Sequence, residues 1–279
     1  MEEGVKYIDL FCGMGSFHHS LSRLQWQCVM ACDINKSVRD TYFANYALLP
    51  LGDIVEIDPT DVPEYDVLCA GFPCQPWSNI GKRQGLDDER GSMFQQVMKF
   101  VKRNTPKIII LENVKGLLSQ DNGQPFQHMV EEIKYAGYQV NWKVLACNDY
   151  GIPQMRKRLF VVGVRDEFID IENVFSFERI DTPTLSNYLG RNFAKSCAYT
   201  VRCGGRRSPI DDKHNWDGYM VDGEEYRLTK SDCLKLQGFP DSYQFKGTNT
   251  DVFKMLGNTI PTNLTFYLGK HIAELMKLK

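Results

Sequence analysis

Three short apolar runs constrain this chain more than anything else in it: Lys6–Phe11 (KYIDLF), Val67–Phe72 (VLCAGF) and Ile108–Val114 (IIILENV). Each is nearly continuous in its apolar residues and far too short to span a bilayer, which marks it as a buried strand. Between them, Phe94, Val97, Met98 and Val101 recur at helical spacing and Pro106 follows. Phe126, Met129, Val130 and Ile133 repeat the pattern, with Gly137 placed to cap the helix end. Tyr138, Val140, Trp142 and Val144 then alternate as a strand does, and RLFVVGV (158–164) closes the regular part. Strands alternating with helices predict a mainly parallel sheet with helices on both faces, an α/β chain.

From about 166 to 225 the periodicity fades, and it returns with RLTKSDCLKLQGFP (227–240), opened by Thr229. A last helix is expected from Thr262 or Asn263 through Leu275. The expected organisation is a large domain of residues 1–165 and 257–279, with a small irregular one of residues 166–256 between its parts.

The bulk composition narrows the class. With 43% apolar and 24% charged residues the chain is a globular one. The start, MEEGVK, has no export signal, and a cytoplasmic setting (nuclear in a eukaryote) with no membrane is expected. Nine cysteines, none in a Cys-x-x-Cys pair, favour neither a disulfide framework nor a structural metal. A net charge of −2 argues against a polycation that coats nucleic acid, although Arg156, Lys157, Arg158 and Arg165 fall together, as do Arg202, Arg206 and Arg207.

Four segments carry chemistry. DLFCGMGSF (9–17) follows a strand and precedes a helix, and glycines 13 and 15 let the backbone turn sharply toward a ligand or merely form a turn. His18 stands where a dinucleotide fingerprint has its third glycine, so the loop suits a smaller adenosine-type ligand. Asp33, ending a second strand VMACD, can bond ribose hydroxyls; Asp53 offers another carboxylate or caps a plain turn. GFPCQPWS (71–78) holds Cys74 between two prolines just past a strand end, a stiff setting that suits a nucleophile or a small residue in a turn. Glu112 ends the next strand, where an apolar setting can raise its pKa and make it a proton donor. Arg156 and Arg158, two apart at the start of a strand, share a face that suits anionic partners, and Asn258 sits in a tight turn before the final helix.

In this order, DLFCGMGSF, GFPCQPWS, ENV, QMRKRLF, LQGFPDSY and GNTIPTN resemble the motifs of the cytosine-C5 DNA methyltransferases over nearly the whole chain. The resemblance implies a Rossmann-like domain that binds S-adenosylmethionine (S-adenosylhomocysteine as product), and a target-recognition domain in the insert. It implies Cys74 as nucleophile, Glu112 on the cytosine N3 and amine, Arg158 on the ring O2, and Arg156 supporting Glu112 or the backbone. Cofactor contacts are implied at Phe11, Gly13, Met14, Gly15, Asp33, Ile34, Asp53, Ile54, Phe72 and Asn258; Asp33 replaces the family's usual glutamate. Gln75, Ser78, Arg202, Arg206 and Arg207 are implied to meet double-stranded DNA, with arginines reading guanine or holding phosphates. The segment 78–92 resembles the family's mobile loop. The short insert predicts a target of roughly two to four base pairs. A monomer acting apart from any matching endonuclease is expected. A tRNA methyltransferase is the close alternative, but Pro-Pro-Cys and Cys-Phe-Thr elements of that branch are missing here. A fold relative without turnover would have lost the cysteine, the glutamate or an arginine. A nicotinamide oxidoreductase is disfavoured by His18.

Overall fold

The structure, a computed structural model, describes residues 4–73, 93–165 and 169–277. The apolar runs become strands β1 (Lys6–Leu10), β3 (Val67–Ala70) and β4 (Ile108–Val114). They join β2 (Gln27–Cys32), β5 (Tyr138–Ala146) and β6 (Lys157–Arg165) in one sheet of order β2-β1-β3-β4-β6-β5. The first four strands are parallel, whereas β6 runs antiparallel to both β4 and β5. Ahead of Asp53, Leu51 meets the end of β2 through a single parallel bridge to Cys32.

Alternate residues of the central strands feed two apolar layers, as the pleat requires. Tyr7, Cys69, Ile108, Ile110, Phe160 and Val162 face one way. There they meet Phe17 and Leu21 of α1 (Ser16–Leu21) and Leu264, Leu268 and Ile272 of α8 (Thr262–Lys277). Ile8, Leu68, Ile109, Leu111, Leu159 and Val161 face the other way, toward Phe94, Val97, Met98 and Val101 of α3 (Met93–Asn104) and Met129 and Ile133 of α4 (Gln124–Tyr135). Helix α2 (Lys36–Tyr46) is capped by Asn35, whose side chain accepts from the Ser37 amide.

The insert holds α5 (Leu185–Leu189) and a hairpin of β7 (Gly218–Val221) and β8 (Glu224–Arg227). Its apolar residues Phe193, Val201, Trp216 and Leu228 join the same cluster as the α1/α8 face of the sheet. Helix α6 (Lys230–Leu236) starts at Thr229 with a full capping box through Asp232. One element departs from the sequence reading. Asn258 does not sit in a tight turn; it is the last residue of a ten-residue helix, α7 (Asn249–Asn258), opened by a second capping box of Thr248 and Asp251.

Helices α1 and α8 approach so closely that a Cβ at Gly269 would collide with Leu21, itself fully buried. Gly269→Val should therefore lower the unfolding free energy by about 1–3 kcal/mol through overpacking, measured by urea denaturation; an unchanged midpoint would mean that the two helices can separate freely.

Candidate active site

The carboxyl ends of β1, β2, β3 and β4 open onto a cleft of about 740 Å³. Strand order reverses about β1, with β2 on one side and β3 on the other, which is where sheets of this kind place ligands. At the β1 end, Phe11 has a left-handed backbone (φ 58°), uncommon for a bulky residue, and Gly13 and Gly15 follow with φ of 53° and 79°. A Cβ at Gly15 would strike the Tyr46 ring, so this glycine is needed for space as well as for its backbone. The loop's carbonyls are held from behind: Tyr243 donates its hydroxyl to Met14 at 2.6 Å, and Tyr46 donates to Gly15 at 3.2 Å.

Asp33 closes the loop from β2. One carboxylate oxygen accepts from the Gly13 amide at 3.2 Å and the other from the Asn35 amide at 2.8 Å. Burial pushes its pKa up, and these amides and Arg39 oppose the shift. Ile34, beside it, is 71% exposed although apolar, a surface open to a flat ligand. Asp53 caps a one-turn helix through the Val55 amide at 3.0 Å and, with Ile54, also lines the cleft. His18 lies outside the cleft lining: it stacks on Tyr46 with ring centroids 4.2 Å apart and lies 2.7 Å from the Tyr42 hydroxyl, and burial lowers its pKa to about 4.

At the other end, Glu112 of β4 is buried and its carboxylate accepts from Arg158 Nε at 2.8 Å. Antiparallel pairing sets Val114 opposite Arg158 and Glu112 opposite Phe160, so the acid and the guanidinium are diagonal neighbours on one face. Burial raises the Glu112 pKa, and the charges of Arg158 and Arg156 work against that rise. Arg156 takes the backbone alternative of its two expected roles. It is 1% exposed and donates to the carbonyls of Val201 (2.7 Å), Gly257 (2.8 Å) and Thr259 (2.7 Å).

Cys74, Gln75, Ser78 and the rest of the segment 78–92 lie outside the described residues. The chain leading to Cys74 is described, however: Gly71, Phe72 and Pro73 all line the cleft. A Cβ on Gly71 would come 3.4 Å from Glu112 Oε2, so the cysteine's approach runs directly past the acid. Asn113, which the sequence reading did not single out, anchors that approach by donating from Nδ2 to the Phe72 carbonyl at 3.1 Å. Asp9 was also missed. It lines the cleft with Oδ2 buried and, among the described residues, without a partner, and burial followed by the Asp33 charge raises its pKa well above the usual carboxylate range. Its place in DLFCGMGSF, ahead of the two glycines, was the available signal.

The three insert arginines divide. Arg206 is engaged within the chain, with Nε 3.3 Å from Asp217, Nη2 donating to the Leu228 carbonyl at 3.2 Å, and its guanidinium 3.7 Å over the Phe253 ring. Arg202 and Arg207 are exposed. Arg202 lines a second, shallower cavity of about 560 Å³ with Tyr199, Lys213 and Asn215.

A doubly wound sheet with its cleft at the switch point, a glycine loop at one end and a buried acid–arginine pair at the other define a Rossmann-like α/β fold with a ligand site at its carboxyl edge. The sequence pattern of the family described as C-5 cytosine-specific DNA methylase matches residues 5–201 and 187–274, and the chain belongs to that family. Among curated relatives, the Type II methyltransferase M.HhaI of Haemophilus parahaemolyticus is 29% identical over 99% of this chain and 96% of its own length. The Type II methyltransferase M.NgoBI of Neisseria gonorrhoeae is 34% identical over 91% of this chain and 89% of its own. Among solved structures, the S. pombe Dnmt2 methyltransferase superposes with a TM-score of 0.76 over 97% of this chain and 99% of that one, at 18% identity, a likeness of fold.

The sign of the Glu112 shift gives a test. Because burial raises its pKa above 4.5, the folded chain holds this proton more tightly than the unfolded one. The unfolding free energy of the wild type, minus that of Glu112→Gln, should fall as pH rises from 4.5 through the folded-state pKa, and level off above it. Urea titrations across pH measure this difference; a rising one would show that the two arginines outweigh burial.

Proposed function

We propose that the protein transfers a methyl group from S-adenosylmethionine to carbon 5 of a cytosine swung out of double-stranded DNA. The observation that carries this reading is the buried Glu112–Arg158 pair, placed directly beside the Gly71–Pro73 approach to Cys74. Carbon 5 of cytosine is a poor nucleophile, and an acid next to a thiol can change that. The Cys74 thiolate adds to carbon 6 while protonated Glu112 delivers its proton to N3, which leaves carbon 5 enamine-like. Arg158 donates to the ring O2 without releasing Glu112, since a guanidinium has donors to spare. After methylation, loss of the carbon-5 proton to solvent re-forms the ring double bond and expels the thiolate, and the N3 proton returns to Glu112. Arg156 holds the geometry from behind. The ring must leave the stack for this chemistry, at a cost of a few kcal/mol.

The cleft suits the cofactor. Its volume falls in the range of small-molecule sites. Asp33 and Asp53 offer acceptors for hydroxyls, and exposed Ile34 and buried Phe72 offer apolar faces. Phe11, Gly13, Met14, Gly15, Ile54 and Asn258 would complete its contacts. When bound, the cofactor supplies an electrophilic methyl group.

Residues 166–256 would act as the recognition domain against a catalytic unit of 1–165 and 257–279. Arg202 and Arg207 are the base-reading candidates, with Gln75 and Ser78 near the flipped base; the internal contacts of Arg206 favour a role in shaping the loop. The protein would work as a monomer inside the cell, on the same DNA as any cognate endonuclease but apart from it. Among the described residues no helix is long and apolar enough to cross a membrane. The Type II relatives favour DNA over tRNA as substrate.

Methyl transfer to duplex DNA but not to tRNA tests the reading. Cys74→Ala should lower transfer at least about a thousandfold, roughly 4 kcal/mol, with S-adenosylhomocysteine affinity within about twofold of wild type. Undiminished transfer by this variant would end the covalent mechanism. Methylation of a random-sequence DNA pool, read for 5-methylcytosine, should return a motif of roughly two to four base pairs; a strict motif of six or more would contradict it.

A further inference from the structure

One buried carboxylate ties down the loop 204–208 of the insert. Asp217, just ahead of β7, is fully buried, and its side chain accepts from Arg206 Nε at 3.3 Å, the Arg207 amide at 3.1 Å and Arg227 Nη1 at 3.2 Å. The loop's ends are held beside it. Trp216 donates from Nε1 to the Gly204 carbonyl at 2.7 Å, and Arg227 donates from Nη1 to the Ser208 carbonyl at 2.7 Å. The same loop leaves from the seam with the cleft, since the backbone of Arg202 and Cys203 lies against Gly257, a lining residue, and Arg206 covers Phe253 of α7.

This scaffold forces one residue into a strained shape. Arg207 has φ of 67°, and among the described residues no other arginine or lysine has a positive φ. A glycine would adopt that backbone without strain, as Gly205 does at φ 77° two residues earlier. Arg206 and Arg227 use their guanidinium groups within the chain, whereas Arg207 is exposed and its guanidinium has, among the described residues, no partner. Strain of this kind persists only where the surroundings enforce it, and it gathers at functional positions. A guanidinium suits paired acceptors, either a phosphate or a guanine edge. A mobile side chain can follow a phosphate, but two adjacent atoms on a base edge call for a fixed one. We propose that Asp217 is a positioning residue for target reading: it locks the backbone of Arg207 so that this guanidinium meets O6 and N7 of one guanine in the target. The inference rests on the DNA reading given above.

The test compares the duplex motif that wild type methylates with duplexes changed at one base pair, read as the ratio of their kcat/KM values. That ratio is independent of the folded fraction, so lost stability alone does not move it. Arg207→Gly keeps the loop's backbone and removes the side chain. Its urea midpoint should be no lower than that of wild type, while discrimination at one guanine-containing pair falls about ten- to a hundredfold. Asp217→Asn should lower discrimination at the same pair about threefold or more, and no further on top of Arg207→Gly. If Asp217→Asn does not fold, Arg207→Gly decides alone. Unchanged discrimination in either variant would overturn the proposal, including the case where all sequences are weakened equally, which marks a phosphate contact. Wild type that fails to methylate duplex DNA would end the DNA reading itself, and this inference with it.

Discussion

The buried guanidinium of Arg156 is the constraint on which the rest of the site depends. Three separate segments bring a carbonyl to it: the insert at Val201, the end of α7 at Gly257, and the link into α8 at Thr259. A carbonyl buried without a donor costs about 1–3 kcal/mol, so no one of these segments can move off without stranding its oxygen. The cation bears its own cost, since burial and the neighbouring Arg158 both push its pKa down while Cys147 and Glu112 oppose them. A lysine could not replace it, because the three carbonyls are served from two nitrogens, Nη1 and Nη2, that one ammonium cannot occupy at once.

Placement of this charge follows from one reversed strand. Along a fully parallel sheet, residues at the carboxyl edge come after their strands. Strand β6 runs the other way beside β4, so its first residues, not its last, arrive at that edge. Arg156 and Arg158 therefore precede or open β6, and they meet Glu112 near the end of β4. Reversing β6 would carry both cations to the far side of the sheet and leave the buried acid unpaired.

Much of this was legible in the sequence, for reasons specific to each element. The central strands are buried on both faces, so their apolar runs are unbroken, and Glu112 stands out as the first charge after Ile108–Leu111. Helix α7 was hidden because only a few of its residues, Val252, Met255 and Leu256 among them, are buried, and its GNTIP ending reads locally as a turn. Arg206 could not be separated from Arg202 and Arg207, because its partners Asp217 and Phe253 are brought to it by the tertiary fold. Gly257 is required because the backbone of Arg202 and Cys203 lies against it, a contact that no local pattern shows.

The sheet edge also acts as a ruler. Adjacent strands lie about 4.8 Å apart, and the order β2-β1-β3-β4-β6 lays out Asp33, Phe11, Pro73, Glu112 and Arg158 in sequence across it. Carboxylates suited to sugar hydroxyls thus fall at one end and the acid–arginine pair at the other. Strand β3 lies between them and leads through Gly71, Phe72 and Pro73 toward Cys74. In the proposed reaction, the methyl donor and the cytosine ring would lie on opposite sides of that strand. The separation between them is then fixed by backbone hydrogen bonding across the sheet, which side-chain mobility cannot alter.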